Sequence, residues 1–439
     1  MKLTVQVHDN GEWKDAFWVK FNYPENGLAS STSYGYAPPY VVDHLDESLS
    51  RFEGAVSYRY PISFNDDTKT PAPAFLHDIA PAGAARQSLL RRLGPEKPEG
   101  QSADVFLLGR CTPAPIGNLR IKESAAYIQQ FPPVGFSQAE VIELNTAFVE
   151  HAYDQGAAIG GASGAGGAAP KILMTQDAEG MLHPDASLPD EDARMHWFIK
   201  FPRGKATRED IAILRSEFLY YRAINQLGLD TISTEGLSYF ESERPSLWMK
   251  RFDREIHADG VRRLAVESVY SLAGVVTPGQ HMQHEQVVKI LAAMWTYAGQ
   301  QEEIPALLSE YLRRDLLNRI LGNTDNHGRN TSVIREKGRF RLAPIYDLAP
   351  MAMDSEVITR TTKWNASIER GGLTDWVGAC MALSEYAEPD ALLEQLKADA
   401  SLFMNLPDIL QPDLPAEAWR HPGIHLARLE DRLTAWGLL

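Results

Sequence analysis

The most informative stretch of the chain is residues 319–350, which read RILGNTDNHGRNTSVIREKGRFRLAPIYDLAP. Asp325 and Asn330 are five residues apart, and a second carboxylate, Asp347, follows after the length of a short hairpin. Phosphoryl transfer from a metal-bound nucleotide uses these residue types. One carboxylate orients the attacking hydroxyl, an amide oxygen binds a metal ion, and another carboxylate joins the metal to the phosphates. The stretch therefore indicates a kinase-type catalytic and metal-binding site.

The spacing from Asp325 to Asn330 equals that of the protein-kinase catalytic loop, H-R-D-L-x-x-x-N. Such a pair is common by chance, so its meaning depends on the other parts of a kinase upstream. His327 lies between the two and is expected to orient the loop or contact the substrate. No His or Cys pair with zinc-ligand spacing accompanies it in the sequence, which argues against a zinc site.

A glycine-rich stretch, GAAIGGASGAGGAAPK at residues 156–171, is the first upstream part. Glycines let backbone N–H groups approach phosphate oxygens closely. The stretch lacks the Gly-Lys-Ser/Thr of a Walker A loop. A flexible linker is the alternative reading, because the composition suits one. The residues that we expect to bind nucleotide here are Ser163, Gly164, Gly166, Gly167 and Lys171.

Lys200 and Glu217 are the next two parts. Lys200 lies in an apolar strand, MHWFIKF at residues 195–201, where a lysine needs a partner for its ammonium group. Glu217 lies on the following helix, which a capping box of Thr207 and Asp210 begins. Protein kinases pair a strand lysine with a helix glutamate to hold the phosphates. An edge-strand lysine and a solvated helix face are the alternatives.

Composition narrows the class of protein. The chain has 439 residues and 48.9 kDa, enough for two domains or two lobes. A net charge of −15 argues against a chain that binds nucleic acid by itself. Two distant cysteines make disulfides improbable, and neither a signal peptide nor a membrane-spanning run is evident. We therefore expect a cytoplasmic protein without a membrane partner.

The order of elements predicts an α+β fold with two lobes, similar to a protein kinase. Residues 1–60 and the strands around Lys200 favour a β-rich N-terminal lobe over residues 1–252, with subdomains at 1–125 and 126–252. Residues 253–439 are expected to form an all-helical C-terminal lobe that carries the catalytic and metal-binding loops.

With these parts in this order, the chain resembles the HipA family, the serine/threonine kinase toxins of bacterial type II toxin–antitoxin modules. The resemblance extends over roughly residues 70–439. It rests on four motifs: Gly-Ala-x-Pro-Lys at 167–171, Ile-Lys-Phe-Pro at 199–202, Gly-Asn-x-Asp-x-His-x-x-Asn at 322–330, and Tyr-Asp-Leu at 346–348. It implies a HipA-like fold, a catalytic Asp325, and Mg²⁺ held by Asn330 and Asp347.

The resemblance also implies how ATP is bound. Lys200 would contact the phosphates and Lys171 would belong to the phosphate-binding loop. A hinge near residues 248–252 would bind adenine, through Met249, Lys250, Arg251 and Phe252. Ser163, the single serine of the glycine-rich loop, would be the site of a self-inactivating autophosphorylation, because a phosphate of about −1.5 to −2 charge would be repelled from a site built for ATP phosphates.

The family further implies a partner and a target. The partner would be a HipB-like helix-turn-helix antitoxin, through which alone the chain would reach DNA. The target would be a translation component, such as an aminoacyl-tRNA synthetase, whose phosphorylation would inhibit growth and lead to persistence. Two other functions remain open from the sequence: a small-molecule kinase, and a non-catalytic co-repressor that binds the antitoxin.

Overall fold

The computed structural model describes residues 1–45, 52–144, 148, 151–152, 170–258 and 260–439. No helix among these residues is both long enough and apolar enough to cross a membrane. The strands are β1 (Lys2–Asp9), β2 (Glu12–Phe21), β3 (Thr32–Tyr36), β4 (Asp67–Lys69), β5 (Leu119–Ile121), β6 (Lys171–Gln176), β7 (Leu182–Pro184), β8 (Met195–Lys200), β9 (Ser238–Phe240), β10 (Ser246–Lys250), β11 (Arg254–His257), β12 (Gly260–Arg263), β13 (Ala265–Ser268), β14 (Met282–Gln283), β15 (Ser332–Glu336), β16 (Arg339–Leu342), β17 (Thr362–Lys363), β18 (Glu369–Arg370) and β19 (Leu373–Thr374).

The helices of the same residues vary from one turn to five. They are α1 (Pro38–Asp43), α2 (Leu76–Ile79), α3 (Gly83–Leu93), α4 (Ala103–Arg110), α5 (Lys122–Ile128), α6 (Gln138–Ile142), α7 (Arg208–Gln226), α8 (Val269–Ala273), α9 (His284–Tyr297), α10 (Ile304–Ile320), α11 (Trp376–Met381), α12 (Pro389–Phe403), α13 (Leu406–Leu410), α14 (Ala416–Arg420) and α15 (Leu429–Ala435).

The chain divides into two compact units made of interleaved segments. The first contains residues 1–204, 238–278 and 332–341, and the second contains residues 205–237, 279–331 and 342–439. From the sequence we expected one change, near residue 253, from a β-rich to a helical part. In the structure the chain instead crosses between the units several times.

The first unit contains two antiparallel five-stranded sheets. The first has the strand order β4-β3-β2-β1-β5, and the second has the order β7-β6-β8-β10-β9. In β1 the apolar residues Leu3, Val5 and Val7 are buried, as their alternation predicts. One face of the second sheet packs through Ile172, Ile199 and Trp248 against apolar side chains that include Phe136 and Val141.

The second unit is mostly helical. Helix α7 begins at the predicted capping box, in which Thr207 Oγ1 accepts from the amide of Asp210, and Asp210 Oδ2 accepts from the amide of Thr207. It packs against α13 and α14, and α10 packs against α12. Four residues of α10, spaced by one turn, are fully buried: Leu308, Leu312, Leu316 and Ile320. Short strand pairs, β14–β17 and β18–β19, interrupt the helices. The sequence predicted an all-helical C-terminal part, and in this respect the structure differs from the prediction.

Candidate active site

The candidate catalytic loop follows α10 in the second unit and begins at Gly322. Asn330 Nδ2 donates to the carbonyl oxygen of Asp325 at 2.7 Å, which fixes the amide so that its oxygen points elsewhere. Asn330 Oδ1 is buried and has no hydrogen-bond partner among the described residues. An amide oxygen left in this state is an acceptor that suits a bound cation. The loop therefore presents one of the two predicted metal ligands.

His327 is almost completely buried, at 1% exposure. Its Nδ1 accepts from the main-chain amide of Arg329 at 3.2 Å, so Nδ1 carries a lone pair and the proton of the neutral ring is on Nε2. Nε2 faces Asp325 Oδ1 at 3.6 Å. The ring thus lies where it can restrict the orientation of the Asp325 carboxylate, which makes His327 a positioning residue.

Asp347 lies in the loop after β16, with a backbone φ of 52° in the left-handed region. Aspartate is one of the few residue types that adopt this region at low cost, and such residues concentrate at functional sites. Asn323 links this loop to the catalytic loop, because its Nδ2 donates to the Asp347 carbonyl at 3.4 Å while its Oδ1 accepts from the Asp325 amide at 3.2 Å. Tyr346 adds a second link through its hydroxyl, which donates to the Arg329 carbonyl at 2.5 Å.

Glu217 and Asp347 approach the same buried phenol. The hydroxyl of Tyr221, one turn after Glu217 on α7, donates to Glu217 Oε1 at 2.8 Å. Burial and the negative charges of Glu217 and Asp347 raise the pKa of Tyr221 well above its usual value, although the main-chain amide of Leu348 opposes them. Tyr221 therefore remains protonated and joins Glu217 to the loop of Asp347.

The residues of the second unit fit a magnesium ion. Asn330 supplies an orphaned oxygen, and Asp347 supplies a carboxylate at a loop that three side chains hold in place. Hard oxygen ligands of this kind suit Mg²⁺, which keeps several waters and also takes ligands from substrate phosphates. No cluster of three or more His, Cys, Asp or Glu residues with metal-binding geometry occurs in the described parts of the chain.

The first unit contributes a sheet face. Lys171 on β6 pairs directly with Lys200 on β8, so their side chains share one face, and both residues are buried, at 4% and 8% exposure. Two residues further along the same face lie Leu173, Phe198 and Met249. This face therefore presents two lysines beside an apolar row, a combination that suits phosphates next to an aromatic base.

Around the predicted hinge, Lys250 lies on the opposite face of the sheet from Met249. The ladder between β9 and β10 ends at Trp248, so Lys250 and Phe252 follow the last residue that pairs with β9. Arg251 has its amide bonded to the His196 carbonyl at 2.9 Å, and its side chain is completely buried. An ATP contact by the Arg251 side chain would require this buried group to give up a bond.

The remaining predicted residues lie outside the described part of the chain: Ser163, Gly164, Gly166 and Gly167. Among the others, the structure brings Glu217, Asp325, His327, Asn330 and Asp347 into the second unit, and Lys171, Lys200 and the residues 249–252 into the first. The ion pair of Lys200 with Glu217 joins residues of different units and stays a prediction.

A family model of the HipA-like C-terminal domain matches residues 163–401. The chain belongs to the HipA family. A solved structure of HipA with HipB and operator DNA, from the toxin–antitoxin system of Shewanella oneidensis MR-1, is similar in fold with a TM-score of 0.64. The match is 15% identical in sequence and covers 99% of this chain and 96% of that one. At this identity, the likeness shows a HipA fold.

A second solved structure is less similar. The Helicobacter pylori proinflammatory kinase CtkA matches with a TM-score of 0.38 and 14% identity, over 60% of this HipA-family chain and 87% of CtkA. A search of curated protein sequences finds no match.

Sequence reasoning missed Tyr221 and Asn323. In the sequence Tyr221 is one of the apolar residues that recur at three- and four-residue spacing on its helix, and a phenol one turn after Glu217 was a signal that could have been used. Asn323 belongs to the Gly-Asn motif of the catalytic loop, but its bonds to Asn318, Asp325 and Asp347 depend on folding. Both residues position the site through hydrogen bonds and have no predicted catalytic or metal-binding role of their own.

Proposed function

We propose that this HipA-family protein is an ATP- and Mg²⁺-dependent serine/threonine protein kinase that acts as the toxin of a toxin–antitoxin module. The observation that carries the proposal is the group formed by Asp325, Asn330 and Asp347, in which a catalytic carboxylate, an orphaned amide oxygen and a second carboxylate belong to two loops joined by Asn323. This is the set of groups that phosphoryl transfer from a metal nucleotide requires.

In this mechanism Asp325 accepts a hydrogen bond from the hydroxyl of a serine or threonine substrate and aligns its oxygen with the γ-phosphorus. The new P–O bond forms as the bond from the γ-phosphorus to the leaving oxygen of ADP breaks, and the hydroxyl proton passes to Asp325. His327 restricts the carboxylate to the orientation that this step needs. The rate gain would come mostly from positioning and from charge stabilisation.

The phosphates would meet the lysines of the first unit. Lys171 and Lys200 are like charges directly opposite each other, an arrangement that a polyanion bound beside them would stabilise. Asn330 and Asp347 would hold Mg²⁺, which neutralises the charge that develops on the phosphate oxygens. The apolar row of Leu173, Phe198 and Met249 would contact the adenine ring, and the segment of Met249, Lys250, Arg251 and Phe252 would form the hinge.

The structural relative from Shewanella oneidensis is seen with HipB and operator DNA. We extend this arrangement to the present chain as part of the proposal: a HipB-like helix-turn-helix antitoxin binds it and carries the DNA contacts. The net charge of −15 supports this division, because an acidic chain is poorly suited to bind the phosphate backbone of DNA by itself. The acceptor would be a translation component in the cytoplasm, such as an aminoacyl-tRNA synthetase, and its modification would arrest growth.

Incubation of the purified protein with ATP and Mg²⁺, followed by intact-mass and peptide mass spectrometry, tests the proposal. We expect one added phosphate on Ser163. Phosphate on another residue would support a kinase without the self-silencing loop. ATP binding without any transfer, to itself or to a protein extract, would favour an antitoxin-binding co-repressor. Absence of ATP binding would refute the kinase function.

A further inference from the structure

The hinge segment of the first unit contains an arginine, Arg251, whose guanidinium donors are all hydrogen-bonded. Arg251 has five N–H donors, and each has an acceptor. Nε and one terminal nitrogen bond the two oxygens of Asp253, at 2.9 and 2.7 Å, and the other terminal nitrogen bonds Asp185. The last two donors go to the carbonyl oxygens of Ala114 at 3.4 Å and Pro115 at 3.0 Å. The planar fork of an arginine can satisfy such a set, and a lysine cannot.

The two carboxylates connect this arginine to the sheet. Asp185 Oδ1 accepts from the hydroxyl of Thr175 on β6 at 2.9 Å and lies 3.5 Å from Nδ1 of His196 on β8. Burial alone would raise the pKa of Asp185, but the positive charge of Arg251 holds it well below its usual value. Thr175, His196 and Arg251 pair in one row across the sheet, on the face that carries Lys171 and Lys200. The network therefore lies on the proposed nucleotide-binding face, at the end that is farther from Lys171 and Lys200.

Asp253 and Arg254 connect the same arginine to the loop 114–117, which belongs to the N-terminal segment of the chain. The amide of Gly117 donates to Asp253 Oδ2 at 2.7 Å, and its carbonyl accepts from Arg254 at 2.8 Å. Burial opposes the charge of Asp253, but Arg251 and Arg254 lower its pKa to about 2. The loop is therefore bonded on both sides to the residues that follow β10.

We propose that Arg251 is a positioning residue for ATP, and that through it the loop 114–117 sets the path of the hinge and thereby the affinity for nucleotide. The loop and the hinge share the same guanidinium, so a displacement of one is transmitted to the other. The loop 114–117 is accordingly part of the nucleotide site. The inference rests on the proposed function, because it concerns ATP binding by the same kinase site.

This role predicts a particular kinetic signature. Contacts of a hinge with adenine are made equally in the ground state and the transition state, because the base takes no part in the reaction. Loss of such uniform binding raises KM and leaves kcat unchanged. A network that only stabilised the fold would change the unfolding transition and leave KM where it was.

Gly117→Ala tests the connection from outside the hinge. Gly117 has a φ of 95°, where an alanine is strained, so the variant favours a shift of the loop backbone; a Cβ there would contact the Val266 carbonyl oxygen at 3.4 Å. We expect Kd and KM for Mg·ATP to rise about tenfold, equivalent to roughly one lost charge-assisted hydrogen bond, with kcat unchanged. Gly100→Ala is the matched control, because Gly100 has a φ of 74° in an exposed loop of the same unit and no atom within 4 Å of its Cβ position.

Arg251→Lys is the second variant, in case Gly117→Ala does not fold. It keeps the charge between Asp185 and Asp253 but removes the fork, so we expect a rise in Kd at least as large. Calorimetry with Mg·ATP gives the Kd of each variant, and thermal unfolding shows whether the variant is folded. Parent-like Kd in a folded Gly117→Ala or Arg251→Lys protein, or an equal rise in Gly100→Ala, would overturn the inference. A parent protein that does not bind ATP would refute the proposed function itself.

Discussion

At the scale of single residues, the site depends on how each polar group is held. The amide nitrogen of Asn330 is fixed on the Asp325 carbonyl, so its oxygen has one direction in which to bind. Asp325 in turn faces the Nε2 of His327. These contacts determine the direction in which the side-chain oxygen of Asn330 can bind a metal ion and how the Asp325 carboxylate is oriented. Two predictions about carboxylates of the second unit follow.

Asp325→Ala should abolish phosphoryl transfer and leave ATP binding largely intact. The variant removes the group that orients the hydroxyl, while the residues proposed to hold the nucleotide remain. We expect the transfer rate to fall by a factor on the order of 10² to 10⁴. A labelled-phosphate assay measures the rate and calorimetry measures the affinity. Asp431→Ala, an exposed aspartate of the same unit, is the control. Equal rates for Asp325→Ala and the parent would refute the role of Asp325.

Asp347→Asn should lose the dependence of nucleotide binding on Mg²⁺. Asparagine tolerates the φ of 52° at this position, so the backbone is kept while the charge that attracts the metal is removed. We expect ATP affinity in the presence of Mg²⁺ to fall at least about tenfold, or about 1.4 kcal/mol. Calorimetry of the variant with and without Mg²⁺ should then give similar affinities. A full Mg²⁺ effect in Asp347→Asn would place the metal elsewhere.

The sequence was sufficient to propose Asp325, Asn330 and Asp347, because the chemistry requires them in a particular order and spacing. It was not sufficient for Tyr221, whose hydrogen bond to Glu217 brings a buried phenol close to Asp347. The side-chain bonds of Arg251 were also hidden, since their acceptors come from the distant loop 114–117. Spacing patterns report chemistry, whereas positioning contacts arise from tertiary packing.

At the scale of elements, helix α7 carries both Glu217 and Tyr221 and begins at a capping box. Thr207 and Asp210 satisfy amides at the helix start that have no partner within the helix. Thr207→Ala should lower the free energy of unfolding by about 1 kcal/mol, and Thr207→Ser should restore most of it. Denaturant unfolding of the three proteins measures this difference. No loss in Thr207→Ala would mean that packing alone fixes the helix start.

Local signals predicted most elements, and two particular misses show their limit. The sequence of residues 76–94, LHDIAPAGAARQSLLRRLG, predicts a helical stretch, but α2 ends at Ile79 and α3 begins at Gly83. Pro81 causes the break, because it has no amide proton and disfavours the helical conformation at Ala80, whose ψ is 141°. The hairpin of β15 and β16 lies between Asp325 and Asp347, where the sequence indicated only a separation of about that length. The structure assigns most of it to the first unit, which no local pattern could show.

At the scale of the whole molecule, the two units are built from interleaved segments, so neither corresponds to one continuous stretch of sequence. The helices of the second unit are joined by a buried polar network. In it, Asp315 of α10 accepts from Arg360 at 2.6 Å and from the indole of Trp364 at 3.0 Å. His284, at the start of α9, lies 3.6 Å from the same carboxylate. Such a network couples the stability of the unit to pH.

His284 is neutral in the folded protein. Its Nδ1 lies 2.7 Å from the Tyr311 hydroxyl, and its Nε2 accepts from Arg360 at 3.2 Å, which leaves no lone pair for a proton. Burial lowers the pKa of His284 to about 4; the positive charge of Arg360 adds to this effect, and the negative charge of Asp315 opposes it. The unfolded chain binds the proton near the ordinary value of 6.5, so acid favours unfolding.

The contribution of His284 to stability should therefore be complete above about pH 6.5 and fall by about 3 kcal/mol as the pH is lowered to about 4. Chemical unfolding across this range measures it. His284→Gln removes the titrating group, so the difference in unfolding free energy between parent and variant should shrink as the pH falls. His257→Gln, at an exposed position, is the control for the substitution itself. If the His284→Gln difference did not change with pH, protonation of His284 would not be the cause of the acid destabilisation, and the buried network would have to accommodate the charged ring.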